Sequence, residues 1–219
     1  MSLDFSPCTS SRRTAIALLG ALLGVTAAGW NLAVAKTTEI LAFGDSITAG
    51  FGLPQDEALP ARLEEKLRAD GQVVHIINAG NSGDTTADGL ARLDWALAEK
   101  PDAVILELGA NDALRGLDPA MVRNNLDALI TKIQASGAKV LLVGMLAPAN
   151  YGADYQRDFD KIYPELAQAH GVALYPFLLD GVALDPQLNQ PDGLHPNERG
   201  VAVIVDRIAP YVARLIGGS

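Results

Sequence analysis

Five apolar runs alternate with five amphipathic stretches between residues 39 and 215. The runs are Glu39–Phe43, Val73–Asn78, Ala103–Leu108, Val140–Met145 and a short one at Val172–Tyr175. Short, continuous apolar runs are the signature of strands buried on both faces. The stretches Pro60–Ala69, Thr86–Ala98, Pro119–Ala135 and Tyr155–Ala169 separate them, and Asn197–Leu215 closes the chain. In the third stretch Val122, Leu126, Leu129, Ile130 and Ile133 recur at helical spacing, and Pro119 after Asp118 marks a capped helix start. Gly71, Gly137 and Gly171 each follow a helical stretch, as helix-ending glycines do. A β-α-β-α alternation of this kind predicts an α/β fold: a three-layer α/β/α sandwich around a five-stranded parallel sheet.

Ligands of such sheets bind outside the carboxyl ends of the strands. The polar residues with chemical potential fall there. Ser46 follows the first strand, Asn78–Asp84 the second, Gly109–Asp112 the third, and Asn150 and Tyr151 the fourth. No repeat, low-complexity tract or interdomain linker interrupts the alternation. The segment from Phe177 to Asn197 is long for a connection in a compact domain, and such loops are often functional.

The first 35 residues read differently. Arg12-Arg13 precedes an uncharged Ala/Leu-rich run from Ala15 to Ala28, and Ala33-Val34-Ala35 has a small-x-small pattern just before Lys36. These features predict a cleavable signal peptide over 1–35 and a single domain over 36–219. The apolar run has 14 residues, short of the ~20 that a spanning helix needs. Ser11-Arg12-Arg13 partly resembles a twin-arginine export signal, so either export route is compatible. The expected location is the periplasm or the exterior. Cys8 is the only cysteine and lies before the run, so the mature chain has neither disulfides nor thiolate metal sites. The 17 basic and 26 acidic residues fall to 15 and 25 when Arg12, Arg13 and Asp4 are set aside, a net charge of −10. Such acidity disfavours nucleic acids and anionic membranes as partners.

The candidate chemistry centres on Gly44-Asp45-Ser46-Ile47. A serine just past a buried strand sits on a tight turn with its hydroxyl free to face a cleft, and it becomes a nucleophile only when a base takes its proton. Of the three histidines, His75 lies within a strand and His170 at a helix end, where it can face the terminal carbonyls. His195 lies in a polar loop, three residues after Asp192. That spacing lets Asp192 bind one ring nitrogen and leave the other as acceptor for a serine proton. Alone, Asp192 and His195 would be an ordinary surface loop; with the serine turn they form a candidate triad. Oxyanion donors could come from the glycine-bearing loop Asn78–Thr85 or from the Asn111 amide.

Gly44-Asp45-Ser46, Gly83, Gly109-Ala110-Asn111-Asp112 and Asp192-Gly193-Leu194-His195 resemble the four blocks of the SGNH, or GDSL-type, hydrolases, in order and over essentially all of Lys36–Leu215. The similarity is greatest to the bacterial periplasmic thioesterase I/arylesterase/lysophospholipase branch, through Asn81–Thr85, Glu107–Asp112 and Pro148–Gly152. The resemblance implies a flavodoxin-like sheet, Ser46 as nucleophile, His195 as base and Asp192 as its orienting partner. It implies an oxyanion hole made by the Ser46 N–H, the Gly83 N–H and the Asn111 side chain. Pro148, Asn150 and Tyr151 would border the acyl group. Asp45 and Asp112 would shape the turns. No metal or cofactor is implied. Thr48 stands where a Gly-x-Ser-x-Gly elbow has its second glycine, which counts against the α/β-hydrolase fold.

The expected reaction is hydrolysis of a carboxylic ester or thioester through an acyl-serine, with aryl esters, acyl thioesters and lysophospholipids as substrate classes. A carbohydrate or cell-wall O-deacetylase would use the same machinery, and a binding module could keep the fold without the chemistry. A monomer acting on small molecules, without stable membrane insertion once processed, is expected.

Overall fold

A computed structural model describes residues 36–217. The proposed signal peptide lies outside the described residues. The elements run in the order β1 (Thr38–Gly44), α1 (Ser46–Ala49), α2 (Leu59–Ala69), β2 (Val74–Gly80), α3 (Thr86–Ala96), β3 (Ala103–Glu107), α4 (Ala110–Leu114), α5 (Pro119–Ala135), β4 (Lys139–Val143), α6 (Ala153–Asp160), α7 (Ile162–His170), β5 (Ala173–Tyr175) and α8 (Glu198–Gly217).

All five strands are parallel, in the order β2-β1-β3-β4-β5. This is the flavodoxin-like order, whose direction of growth reverses between β1 and β3. Strand residues Ile40, Leu41, Phe43, Val104, Leu106, Leu141 and Leu142 are at most 1% exposed, as a sheet covered on both faces requires. Helices α2 and α8 pair over one face, and α3, α5 and α7 line up over the other. The stripe Val122, Leu126, Leu129, Ile130 and Ile133 buries α5 along its length. Asp118 caps this helix by accepting from Ala120 N–H, with Pro119 in the first turn. At α3, Thr85 and Asp88 form a reciprocal capping box. Gly71, Gly137 and Gly171 follow α2, α5 and α7 with positive φ.

The expected helix over Tyr155–Ala169 is two helices, α6 and α7, parted at Lys161. Pro164 is the physical reason: it has no N–H for the Asp160 carbonyl, and its ring crowds that position. Pro210 stands inside α8 without ending it, because the buried side chains Ile204, Ile208 and Val212 hold both halves to the core. No helix among the described residues is long and apolar enough to cross a membrane.

The strand register sets the height of the site. Gly44 at the end of β1 pairs with Gly80 of β2 and with Glu107 of β3. The three following loops therefore leave the sheet at one level, around the point where strand order reverses.

Candidate active site

Ser46 is the first residue of α1, a four-residue helix capped by the Asp45 carboxylate, which accepts from Ile47 N–H at 3.0 Å. The turn places the Ser46 hydroxyl 2.9 Å from His195 Nε2, across 149 positions of sequence. His195 Nδ1 lies 2.6 Å from Asp192 Oδ2. The other Asp192 oxygen accepts from the Leu194 and His195 N–H groups at 2.9 and 3.0 Å. These hydrogen bonds, the backbone ones foremost, hold the Asp192 carboxyl down at about 2. A carboxylate on Nδ1 leaves Nε2 as the ring acceptor, facing the serine. The three predicted residues thus meet in a line with hydrogen-bonding distances throughout.

The loop that carries Asp192 and His195 is a chain of turns. Asn189 is its hub, donating to the Val182 and Asp185 carbonyls at 2.6 and 2.8 Å, while Leu178 and Val182 anchor it in the core. Gln190 tethers it to the loop after α1, donating to the Phe51 and Pro196 carbonyls at 2.7 and 3.0 Å. Phe51 covers the imidazole with ring centroids 4.6 Å apart. Neither Gln190 nor Phe51 has a sequence signal that singles it out.

The oxyanion candidates differ in their commitments. The Ser46 and Gly83 N–H groups have no hydrogen-bond acceptor among the described residues. Gly83 has φ +89° and its carbonyl accepts from Arg115 at 2.9 Å. The Asn111 amide donates to the Asp84 carbonyl at 2.9 Å and to Asp45 Oδ2 at 3.3 Å. The longer of these bonds is the one an oxyanion can displace. Gly109 leads into this segment at φ +118°, and a Cβ there would lie 2.1 Å from the Tyr163 hydroxyl, so only glycine fits. Asp112 is fully buried and accepts from the Thr86 N–H and hydroxyl at 2.8 and 2.7 Å, which ties α4 to α3. Arg92 braces the second loop: it bonds Asp84 at 2.5 Å, the Ala79 and Gly44 carbonyls at 2.9 Å, and covers the Phe43 ring.

A cavity of about 460 Å³ opens beside Ser46, Asn111 and His195. Its wall is apolar, with Met145, Leu146, Ala147, Pro148, Phe177, Leu179 and Leu184. Of the three residues expected to border an acyl group, Pro148 lines this cavity. Asn150 and Tyr151 do not line it: Asn150 is exposed in a short 3-10 turn, and the Tyr151 hydroxyl donates to the Leu114 carbonyl at 2.9 Å. Tyr155 and Tyr163 grip the Leu117 and Leu108 carbonyls in the same way, each at 2.9 Å. Tyr151, Tyr155, Phe159 and Tyr163 form a continuous row of rings, centroids 5.2 to 6.0 Å apart, that holds the Asn111 segment from one side. Their four-residue spacing was the available signal. His170 meets Asp127 of α5 at 2.8 Å instead of the helix-end carbonyls, and His75 meets Glu64 at 3.1 Å. Neither lines the cavity.

A serine, an imidazole and a carboxylate in line, beside free backbone N–H groups and an apolar cavity, define a serine hydrolase site. Residues 42–203 match the model of the GDSL-like Lipase/Acylhydrolase family, and the chain belongs to that family. It is 42% identical over 177 residues to an arylesterase of Vibrio mimicus, covering 80% of this chain and 88% of that protein. It is 39% identical over 183 residues to thioesterase 1/protease 1/lysophospholipase L1 of Escherichia coli strain K12, covering 83% of this chain and 86% of the other. Among solved structures it is similar to AlinE4, an SGNH-hydrolase family esterase, at 49% identity and a TM-score of 0.70, over 82% of this chain and 96% of that one.

Proposed function

We propose that this protein is a serine hydrolase of carboxylic esters and thioesters, with Ser46 as nucleophile, His195 as general base and Asp192 as the group that orients it. The observation that carries the reading is the 2.9 Å contact between Ser46 Oγ and His195 Nε2, with Asp192 on the opposite ring nitrogen. His195 takes the serine proton as Oγ attacks the carbonyl carbon. The Ser46 and Gly83 N–H groups and the Asn111 amide receive the negative charge that develops on the carbonyl oxygen. His195 then protonates the departing alcohol or thiol, and water repeats the sequence to release the acid.

The substrate classes are aryl esters, acyl thioesters and lysophospholipids, in keeping with the names of the relatives. The apolar wall of the cavity supports an acyl chain longer than acetyl, which separates this reading from an O-deacetylase. A panel of p-nitrophenyl esters from two to twelve carbons tests it. We expect kcat/KM to rise by about tenfold or more from acetyl to medium chains, since each buried CH₂ contributes roughly 0.8 kcal/mol. A strict preference for acetyl would overturn it. Asn111→Ala is expected to lower kcat by on the order of 10²-fold with KM little changed. A change confined to KM in steady-state kinetics would assign Asn111 to substrate binding alone. Export with removal of residues 1–35 is part of the same reading, supported by the Arg12-Arg13, Ala15–Ala28 and Ala33-Val34-Ala35 pattern.

A further inference from the structure

Glu107 takes no part in the chemistry above, yet it lies beneath the nucleophile. It is the last residue of β3, opposite Gly44, and is 1% exposed. Its Oε2 accepts from the Thr48 hydroxyl at 2.7 Å and from the Asp45 N–H at 3.3 Å. Its Oε1 is buried with no hydrogen-bond partner among the described residues. Asp45 and Thr48 flank Ser46 on the two sides of its turn. Asp45 in turn caps Ile47 and meets Asn111. The fit around this contact is close: a Cβ on Gly44 would lie 2.1 Å from the Thr48 hydroxyl and 2.5 Å from Glu107 Oε2. Leu59 and Leu63 of α2, Val143 of β4 and Ile208 of α8 enclose the group with apolar atoms.

We propose that Glu107 is a positioning residue that acts through Thr48 and the Asp45 main chain to hold the Ser46 turn, so that the hydroxyl meets His195 and the Ser46 N–H stays aimed at the reacting carbonyl. The proposal rests on the role of Ser46 given above. Among the described residues no cation pairs with Glu107, and an unpaired buried carboxylate is costly. The titratable groups that bear on it are Asp45, the cap of α1, and the Tyr163 phenol of α7. Burial first, and the Asp45 carboxyl second, push the Glu107 carboxyl well above the usual range. Burial also raises Asp45, to about 6. Both effects favour the neutral acid at Glu107, while its contacts with Thr48 and Asp45 need only Oε2 as an acceptor. Glutamine has nearly the same shape and can present its carbonyl oxygen to Thr48 and Asp45 without a titratable proton.

The test compares E107Q, E107A, T48V and S46A with the unsubstituted protein, through kcat and KM on a p-nitrophenyl ester, the rate of Ser46 labelling by a fluorophosphonate, and Tm. E107Q is expected to keep kcat within about threefold, with an unchanged pH profile. E107A and T48V are expected to lower kcat and the labelling rate by about 10–100-fold with KM within about twofold, because misplacing a reacting group by an ångström can cost about 10²-fold. Full kcat in T48V and E107A overturns the proposal, and so does an E107Q as impaired as E107A or a loss seen only in KM. If E107A does not fold, T48V and E107Q decide. Activity in S46A would remove the serine assignment itself, whereas an inactive S46A beside fully active T48V and E107A removes only the positioning role.

Discussion

Ser46→Ala is expected to lower kcat by on the order of 10⁶-fold, and His195→Ala by a similar factor, with the double variant no worse than either single one. The reason is that the two side chains act as one unit. In the proposed mechanism their 2.9 Å contact makes the serine oxygen a nucleophile, and either member alone has no covalent route to an acyl-enzyme. Residual catalysis over water, about 10³-fold, should persist through the backbone donors and the cavity, which both variants keep. Both should fold, because Ser46 and His195 are half-buried and neither belongs to the core. Steady-state hydrolysis of an aryl ester, with circular dichroism as a control for folding, provides the check. Losses that multiply in the double variant would mean that the two residues work independently.

Asp192→Asn carries the second largest effect, a fall in kcat of about 10³–10⁴-fold with KM nearly unchanged. The amide keeps the size of the carboxylate but reverses its demand on the ring. An asparagine Nδ2 facing Nδ1 favours the tautomer that presents a hydrogen, not a lone pair, to Ser46. A kcat loss below tenfold would show that Asp192 is a loop-shaping residue only. The pH behaviour follows the sign of the Asp192 shift. Its carboxyl titrates at about 2 in the folded protein, below its value in an unfolded chain near 4. The folded form therefore binds fewer protons in that window, and the carboxylate's contribution to stability is present above pH ~4 and lost as pH falls toward 2. Asp192 remains ionised from pH 5 to 8, so any loss of rate on acidification within that range arises elsewhere in the site. The variant should lose Asp192's share of the stability change between pH 4 and 2 in thermal melts, the other depressed carboxyls, such as Asp88 and Asp102, keeping theirs.

Serine, aspartate and histidine were legible because each carries its own local signal. Ser46 follows an apolar strand, and Asp192 and His195 share a short polar turn. The tyrosine grip on the Asn111 segment was not legible in the same way. Tyr155 and Tyr163 fall inside a stretch that reads as one amphipathic helix, and only the break at Lys161 and the packing on α5 aim their hydroxyls at the Leu117 and Leu108 carbonyls. The resemblance placed Tyr151 beside the acyl group, but a loop position does not tell which way a side chain turns, and Tyr151 does not line the cavity. Its ring packs on Gly116 instead.

By itself, the order of residues determined the layered fold, the strand count, the edge of the sheet that carries the candidate chemistry and the residues of the candidate triad. Those follow from periodicities and turn residues that act over a few positions. The tertiary structure alone decided what surrounds the serine. It brought Ser46 and His195 together across 149 positions, left the Ser46 and Gly83 N–H groups without an acceptor among the described residues, opened the cavity between the loops after β3, β4 and β5, and set Glu107 under the Ser46 turn. Each of these depends on strand register and on contacts between distant segments. The Ser46 turn is local in sequence, but its reactivity is a property of the whole sheet edge.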